Sequence, residues 1–509
     1  MSLRSKLGTA AAVALYATLM ICTNNTYTIL DDESTIIAVA GHPISSTVKL
    51  FLTGKGQHEH PPVSDLLLHL WLVATSYSFF SLRIFANIFY IGAVLFIAFA
   101  AKRIGGNASY WTALLVAFAW PFAFQYARLT GWYAFCTFLV AWLTWIYLRI
   151  LEDQGPRPWI AFGIVGVLLV WTNYFGVALL LLLLADLLLF HRKLAVKNLR
   201  WILGIAAMLV ISFLPLLKVV LTNVETKAAP ALANGGLKGA IATLGYPAFS
   251  IFASSAVAPW YLPLCIPILL AIVALFIAMW FSPSRRWLIY FLLAMVLLQL
   301  SGHMNIKRVL FLMPWLFLAM ALAAFSDGAR YPKAARSAIV VIVLAGWIGI
   351  MSGKHYSTTN LYEPWGQVAR VVADDARQGA TVVSENFPFF FYLDYQLGLQ
   401  AETQAAPGSF LGQPVYQTYG YTILEPRDWP NRAPRHLGKV VLVNGSALDE
   451  DVQLEKAIDR DLHARCRMLG EYQAAPDPAA AWKQRMVKGA AVLPYRVDVI
   501  WYDCTGQDR

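Results

Sequence analysis

The chain has 509 residues, of which 58% are hydrophobic and 14% are charged, and its mean hydropathy is +0.56. Soluble domains average roughly 45–50% apolar and 25% charged residues, so this composition excludes an ordinary soluble protein and indicates a polytopic membrane protein. The net charge of +11 is uneven, because residues 1–352 carry 24 Lys+Arg and 10 Asp+Glu, whereas residues 353–509 carry 16 and 19. Membrane topology explains a basic excess confined to the apolar part, so no nucleic-acid partner is predicted.

Eleven apolar stretches are predicted as membrane-spanning helices. With a cytoplasmic N-terminus, the five connections that return to the cytoplasm are all basic, as the positive-inside pattern requires. A further apolar segment at 63–80 would give twelve or thirteen spans, but it contains Asp65 and His69, so we assign it, with 34–53, to helices in the outer interface. The predicted spans are 7–24, 84–101, 109–126, 132–150, 158–172, 174–190, 201–221, 260–281, 287–301, 308–326 and 337–352.

The same patterns predict two domains in a multi-pass protein of the bacterial inner membrane. A transmembrane domain covers 1–352, with outer loops at 25–83 and 223–258, and a small soluble α/β domain outside the cytoplasm covers 353–509. The 223–258 loop is either a mobile lid or a passive connector. Cys466 and Cys504 lie in the soluble domain, where they form either a disulfide or two free thiols.

Acidic side chains follow the first span directly. Asp31, Asp32 and Glu33 repel one another, which should raise the pKa of at least one of them. Such a carboxyl group can accept a proton from a hydroxyl or hold a metal ion. The alternative is a solvated acidic collar, or an N-cap for a helix that begins near Ser34.

A second titratable group precedes Pro61-Pro62 in the same outer loop. His58, Glu59 and His60 could orient a phosphate or join the acidic cluster at a metal. Two histidines two residues apart are a weak metal signal, so an ordinary solvated loop is the alternative.

Cations also collect on the predicted outer face. Arg128 lies where the third span emerges, and Lys307-Arg308 follow His303 at the start of the tenth span. Guanidinium groups suit phosphates, although a structural ion pair with Asp31 or snorkelling to the headgroups would also explain Arg128. Together these groups suggest transfer from a phosphate-linked lipid to a hydroxyl or amine, and a transporter or flippase is the main alternative.

The same positions resemble motifs of the GT-C membrane glycosyltransferases, in particular the protein O-mannosyltransferases, the lipid A aminoarabinose transferases and the rhizobial galacturonosyltransferases. The likeness covers most of residues 1–370. It rests on the order of Asp32-Glu33, His60-Pro61-Pro62, the stretch Gln125–Tyr133, Lys307-Arg308 and Glu363-Pro364-Trp365.

This resemblance implies the GT-C fold, an active site outside the cytoplasm and a polyprenyl-phosphate sugar donor, with inversion at the anomeric carbon. The acceptor would be a glycan, a lipid or a protein. Asp32 would be the base, with Asp31 and Glu33 as further candidates. No second paired acidic motif is found in the outer loops, so no metal or other cofactor is predicted. The implied donor-phosphate ligands are His60, Arg128, Lys307 and Arg308, and the implied acceptor or sugar contacts are His58, Glu59, Tyr133, Tyr174 and His303.

Overall fold

The computed structural model describes most of the chain, as two compact units. The first, the membrane unit, comprises Met1–Cys22, Ser45–Leu68 and Leu82–Ile350, and the second unit comprises Thr23–Ile44, His69–Ser81 and Met351–Arg509. The described residues are 2–24, 31–41, 43–53, 61–75, 78–152, 155–227, 245–254, 257, 261–301, 306–351, 364–384, 387–397, 415–418, 421–424, 429, 438–445, 449–474 and 497–505.

Helices dominate residues 1–351. In chain order they are α1 Leu3–Asn24, α2 Asp31–Gly41, α3 Ile44–Thr53, α4 Val63–Ala74, α5 Phe79–Ala119, α6 Pro121–Tyr126, α7 Trp132–Glu152, α8 Pro156–Val170, α9 Gly176–Phe190, α10 Arg192–Lys197, α11 Leu199–Lys227, α12 Tyr246–Ala253, α13 Leu262–Trp280, α14 Arg285–Leu300, the 3₁₀ helix Ile306–Leu312, α15 Met313–Phe325 and α16 Pro332–Met351. Each of the eleven predicted spans is largely helical, which confirms the helical polytopic fold.

Seven of the described helices are long and apolar enough to cross a membrane, so the chain is a multi-pass membrane protein. Helix α4 has 12 residues and rises about 18 Å, which is too short to cross a bilayer. The segment Ile306–Phe325 is the most buried of the seven, with 89% of its apolar window inside the protein against 17% for α1. It therefore forms the centre on which α7 and α14 pack.

The predicted connection between the second and third spans is confirmed, because α5 consists of two helical arms joined at Gly106, where φ is 76°. The arms fold back on each other, since the Tyr90 hydroxyl donates to the Ala117 carbonyl at 2.7 Å, whereas a continuous helix would separate these residues by about 40 Å. Only a glycine adopts the Gly106 conformation without strain. The expected loop at 223–258 is shorter, since α11 extends to Lys227 and α12 occupies Tyr246–Ala253. Most of the remaining loop, 228–244, lies outside the described residues.

The C-terminal part of the second unit contains a small mixed sheet, which confirms the predicted α/β domain. Its described elements are α17 Trp365–Arg377, β1 Thr381–Val383, α18 Phe387–Leu397, β2 Val415–Thr418, β3 Tyr421–Leu424, β4 Lys439–Asn444, α19 Asp449–Arg465, β5 Arg467–Ala474 and β6 Val497–Asp503. The strand order is β2-β3-β1-β4-β6-β5, in which β1 runs parallel to β3 and β4 and the other pairs are antiparallel. A disulfide joins Cys466 to Cys504.

Candidate functional site

Arg128 lies in the turn 127–131, between α6 and α7, and its side chain is only 1% exposed. Its Nε donates to the Phe124 carbonyl at 3.0 Å, and its guanidinium lies 4.1 Å from the centre of the Phe124 ring. Nη2 lies 3.5 Å from the sulfur of Met20, near the end of α1. Gly131 completes the turn with a φ of 128°, a backbone conformation that L side chains rarely adopt. The guanidinium is therefore held in place from two helices.

Arg83 is a second buried cation at the same turn. It lies near the start of α5, is 1% exposed, and donates from Nη1 to the Arg128 carbonyl at 2.8 Å. The sequence reasoning did not select Arg83. The signal was available, because Arg83 stands between the 63–80 segment and the second span, on the predicted outer face where cations are unusual. Two buried guanidinium groups therefore meet at one turn of the membrane unit.

The 3₁₀ helix brings two further cations to this end of the membrane unit. It packs against α6, α7 and α12, and the Phe311 ring lies 6.0 Å from the Trp132 ring and 5.7 Å from the Phe175 ring. Lys307 and Arg308 are half-buried on it. The turn that carries Arg128 joins two of the helices that pack on this element. Arg128, Lys307 and Arg308 thus lie on elements that contact one another.

The connection 171–175 between α8 and α9 lies at the same end. Its Trp171 carbonyl accepts a hydrogen bond from the Val63 backbone at 3.3 Å, which fixes the start of α4 immediately after Pro61-Pro62. Asn173 accepts from the Phe175 backbone at 2.9 Å and shapes the turn. The predicted contact residue Tyr174 is half-buried, and its hydroxyl has no hydrogen-bond partner among the described residues. This hydroxyl is therefore a buried donor whose hydrogen-bonding capacity is unused among the described residues.

Tyr133, a predicted contact residue, and Asp65, which was not predicted as a site residue, are both buried in the membrane unit. Tyr133 is 2% exposed in the first turn of α7, and its ring lies 4.3 Å from the Trp132 ring. Asp65, in the first turn of α4, is a buried carboxylate that the Ser64 hydroxyl approaches at 3.4 Å. The sequence reasoning used Asp65 only against a membrane span, so it is a further acid to test. His58, Glu59, His60 and His303 lie outside the described residues.

The acidic triplet belongs to the second unit. Helix α2 begins at Asp31, three residues before the expected start at Ser34, so the triplet forms the first turn of the helix and does not precede it. Negative charge is favourable there because of the helix dipole. The Glu33 side chain is fully buried. Helix α2 packs on α18, and the His69 Nδ1 donates to the Ala40 carbonyl at 2.8 Å.

The described residues contain no group of three or more His, Cys, Asp or Glu that could hold a metal ion. The described part of the site contains cationic side chains that are buried at the 127–131 turn and others that are half-buried on the 3₁₀ helix. Such an arrangement suits a phosphate, because rigid guanidinium groups complement its oxygen atoms.

Comparisons with known proteins agree with the sequence resemblance. A family model described as dolichyl-phosphate-mannose-protein mannosyltransferase matches residues 59–217, which include Arg83 and Arg128. A comparison with curated proteins finds no match. Among solved structures, ArnT from Cupriavidus metallidurans in the apo state is similar over 97% of this chain and 98% of that chain, with a TM-score of 0.57 and 12% identity. The structure of ArnT bound to undecaprenyl phosphate matches over 98% of both chains, with a TM-score of 0.57 and 13% identity. The chain therefore has the fold of the GT-C membrane glycosyltransferases, as the sequence predicted.

Proposed function

We propose that this protein is a glycosyltransferase that moves a sugar from a polyprenyl-phosphate donor to a hydroxyl-bearing acceptor at the extracytoplasmic face of the membrane. The observation that carries the proposal is the buried pair Arg83 and Arg128, at the end of a GT-C bundle where Lys307 and Arg308 are half-buried. The similar ArnT structure that is bound to undecaprenyl phosphate supports a lipid phosphate as the ligand. The acceptor is a glycan, a lipid or a protein.

The chemistry explains why cations are needed at the donor. The acceptor oxygen forms a bond to the anomeric carbon while the bond from that carbon to the phosphate oxygen breaks, and the electron pair leaves with the polyprenyl phosphate. The leaving phosphate gains one negative charge, so fixed positive groups stabilise the transition state and no proton donor is required at the leaving group. A single displacement of this kind inverts the anomeric carbon.

The arginines have different parts in this proposal. The guanidinium of Arg128 is already held by the Phe124 carbonyl and ring, so little reorganisation is needed when the phosphate develops charge. Arg83 fixes the backbone of Arg128 and acts as a positioning residue. Lys307 and Arg308 are half-buried, and we assign them to the donor phosphate. His60 joins them by the sequence pattern, and Tyr174, with its available hydroxyl, is assigned to the sugar or acceptor.

The proton of the acceptor hydroxyl must pass to a base. We assign this role to Asp32 from its place in the sequence pattern, with Asp31 and Glu33 as neighbouring carboxylates. Asp65 is the rival acid, because it is buried at the start of α4 within the membrane unit itself. Transfer assays on variants of Asp32 and Asp65 distinguish the two assignments.

The test uses the purified full-length protein in lipid nanodiscs, with a panel of synthetic polyprenyl-phosphate sugars and envelope extract as acceptor. We expect Asp32→Asn to retain binding of undecaprenyl phosphate and to lose transfer. Asp327→Asn, at an exposed loop carboxylate between α15 and α16, is the matched control and should transfer normally. If Asp65→Asn alone abolishes transfer, the base is on α4. Movement of the lipid between leaflets without formation of a glycosidic bond would instead indicate a flippase.

A further inference from the structure

A cavity lies at the other end of α14, remote from the candidate site. It has a volume of about 550 Å³ and is formed by the end of α9, the end of α13, the loop 281–284 and the first turns of α14. Helix α14 rises about 24 Å from Arg285 to Leu300, beyond which the chain continues to the 3₁₀ helix. The side chains that matter for its chemistry are Phe190, Trp280, Phe281, Arg285, Arg286 and Tyr290.

Two arginines with different surroundings line this cavity. Arg285 is exposed, its guanidinium lies 5.7 Å from the Trp280 ring centre, and no described carboxylate lies within 4.0 Å of it. Arg286 donates to Nε2 of His191 at 3.1 Å and lies 3.5 Å from the carboxylate of Asp186. Burial and the nearby Arg286 charge lower the pKa of His191, so its ring is neutral and accepts this bond at neutral pH. Arg285 therefore presents an uncompensated positive charge beside a fixed second guanidinium.

A buried network holds Arg286 in this position. The carboxylate of Asp186 is fully buried in α9 and accepts hydrogen bonds from the hydroxyls of Tyr147 and Tyr290. Three different helices thus converge on one carboxylate, which neutralises part of the Arg286 charge and fixes its direction. Because Asp186 is enclosed, it is not available to a cationic ligand in the cavity.

The loop that carries the cavity rim is ordered by its own hydrogen bonds. The Ser282 hydroxyl donates to the Met279 carbonyl at 2.9 Å, and the Ser284 backbone donates to the Ser282 hydroxyl at 3.1 Å. The Arg330 backbone donates to the Phe281 carbonyl at 3.3 Å. A rim fixed in this way loses little conformational entropy when a ligand binds.

We propose that this cavity binds the phosphate diester of an anionic phospholipid. The planar guanidinium groups of Arg285 and Arg286 suit its phosphate oxygens. Exposed apolar side chains at the rim suit the glycerol and acyl chains, since Phe190, Trp280 and Phe281 are 67%, 45% and 46% exposed. The charge at the rim disfavours a zwitterionic headgroup, because an ammonium group would meet arginine and find no carboxylate among the residues that line the cavity. This inference does not depend on the proposed transferase activity.

The experiment measures lipid occupancy on the purified full-length protein by native mass spectrometry, with phosphatidylglycerol or phosphatidylcholine added. We expect phosphatidylglycerol to be retained and Arg285→Gln to weaken its binding about tenfold or more, as loss of a charge-assisted hydrogen bond would. Ile289→Trp, which fills the cavity and keeps every charge, should cause the same loss. Lys193→Gln removes an exposed cation of α10 that does not line the cavity, and should bind normally.

Four results would overturn the proposal. Equal losses in Lys193→Gln and Arg285→Gln, or normal binding in Ile289→Trp, would mean diffuse surface attraction without a defined site. Equal binding of phosphatidylcholine would refute selection by charge. Displacement of the lipid by inorganic phosphate would indicate a site for a soluble anion. Undecaprenyl phosphate binding and thermal unfolding, measured on the same variants, separate this cavity from the donor site and from loss of folding.

Discussion

Replacing Arg83 should weaken donor binding although Arg83 is assigned no contact with the donor. The variant Arg83→Gln removes the guanidinium that donates to the Arg128 carbonyl at 2.8 Å, and it leaves that carbonyl in a buried turn. A hydrogen bond from a charged donor contributes about 1.5–3 kcal/mol. If that energy holds Arg128 in its binding position, affinity for a lipid phosphate should fall about 10- to 100-fold, since about 1.4 kcal/mol corresponds to a factor of ten.

The assay is equilibrium binding of undecaprenyl phosphate to the purified full-length protein, followed by steady-state transfer kinetics. Because Arg83 positions a donor ligand, KM for the donor should rise more than kcat falls. Arg83→Lys keeps the charge but loses the planar fork, so it should restore part of the affinity. Arg336→Gln is the matched control, since its Nε donates to the Ala324 carbonyl at 3.0 Å and its guanidinium lies 4.3 Å from the Phe325 ring centre. The control should lower thermal stability and leave undecaprenyl phosphate affinity unchanged.

One combination of results would refute the positioning role of Arg83. If Arg83→Gln binds undecaprenyl phosphate as the wild type does, while its melting temperature falls as far as that of Arg336→Gln, then Arg83 is a structural residue only. The turn 127–131 would then hold Arg128 in its binding position without Arg83.

Three further predictions follow from single features of the structure. Arg308→Ala should raise the apparent KM for a short-chain polyprenyl-phosphate sugar, and an unchanged KM would mean that the phosphate binds elsewhere. Gly131→Ala should destabilise the fold by about 1–3 kcal/mol, because φ is 128° there, and an unchanged melting temperature would contradict this strain. Replacing Cys466 and Cys504 by serine opens a loop of 38 residues, which should lower the stability of the second unit by about 4 kcal/mol and speed its proteolysis. Cleavage at the wild-type rate would show that the sheet is stable without the disulfide.

The helical fold could be predicted because the apolar stretches are long and the basic loops alternate, and both signals depend on composition over many residues. The connection after Lys102-Arg103 was predicted in this way, and the chain reverses there at Gly106. The error concerns the start of a helix, which average composition does not determine. At Asp31 the helix begins earlier than the capping argument placed it, because the acidic residues suit the first turn itself.

The candidate site was predicted in part, and the missing part has a physical reason. Arg128 was found because it stands in a recognisable stretch with Gln125 and Tyr133. Arg83 was missed because its importance lies in a hydrogen bond to a backbone carbonyl 45 residues away, which no local pattern records. A lone cation on the outer face next to a membrane span is nevertheless unusual, and that signal alone would have selected it.

The Asp186 network illustrates which properties of a buried polar residue depend on local sequence and which depend on the fold. A carboxylate inside the apolar run of α9 is costly in a membrane, so it requires hydrogen-bond partners. The local sequence does not identify them, because Tyr147 lies 39 residues before Asp186 and Tyr290 lies 104 residues after it, on other helices. The need for a partner follows from the cost of burying one unpaired carboxylate. The identity of the partner follows from how all the helices of the bundle pack. The same distinction applies to Arg83 and Arg128, which is why polar residues within or beside predicted spans are the positions where a structure adds most to a sequence.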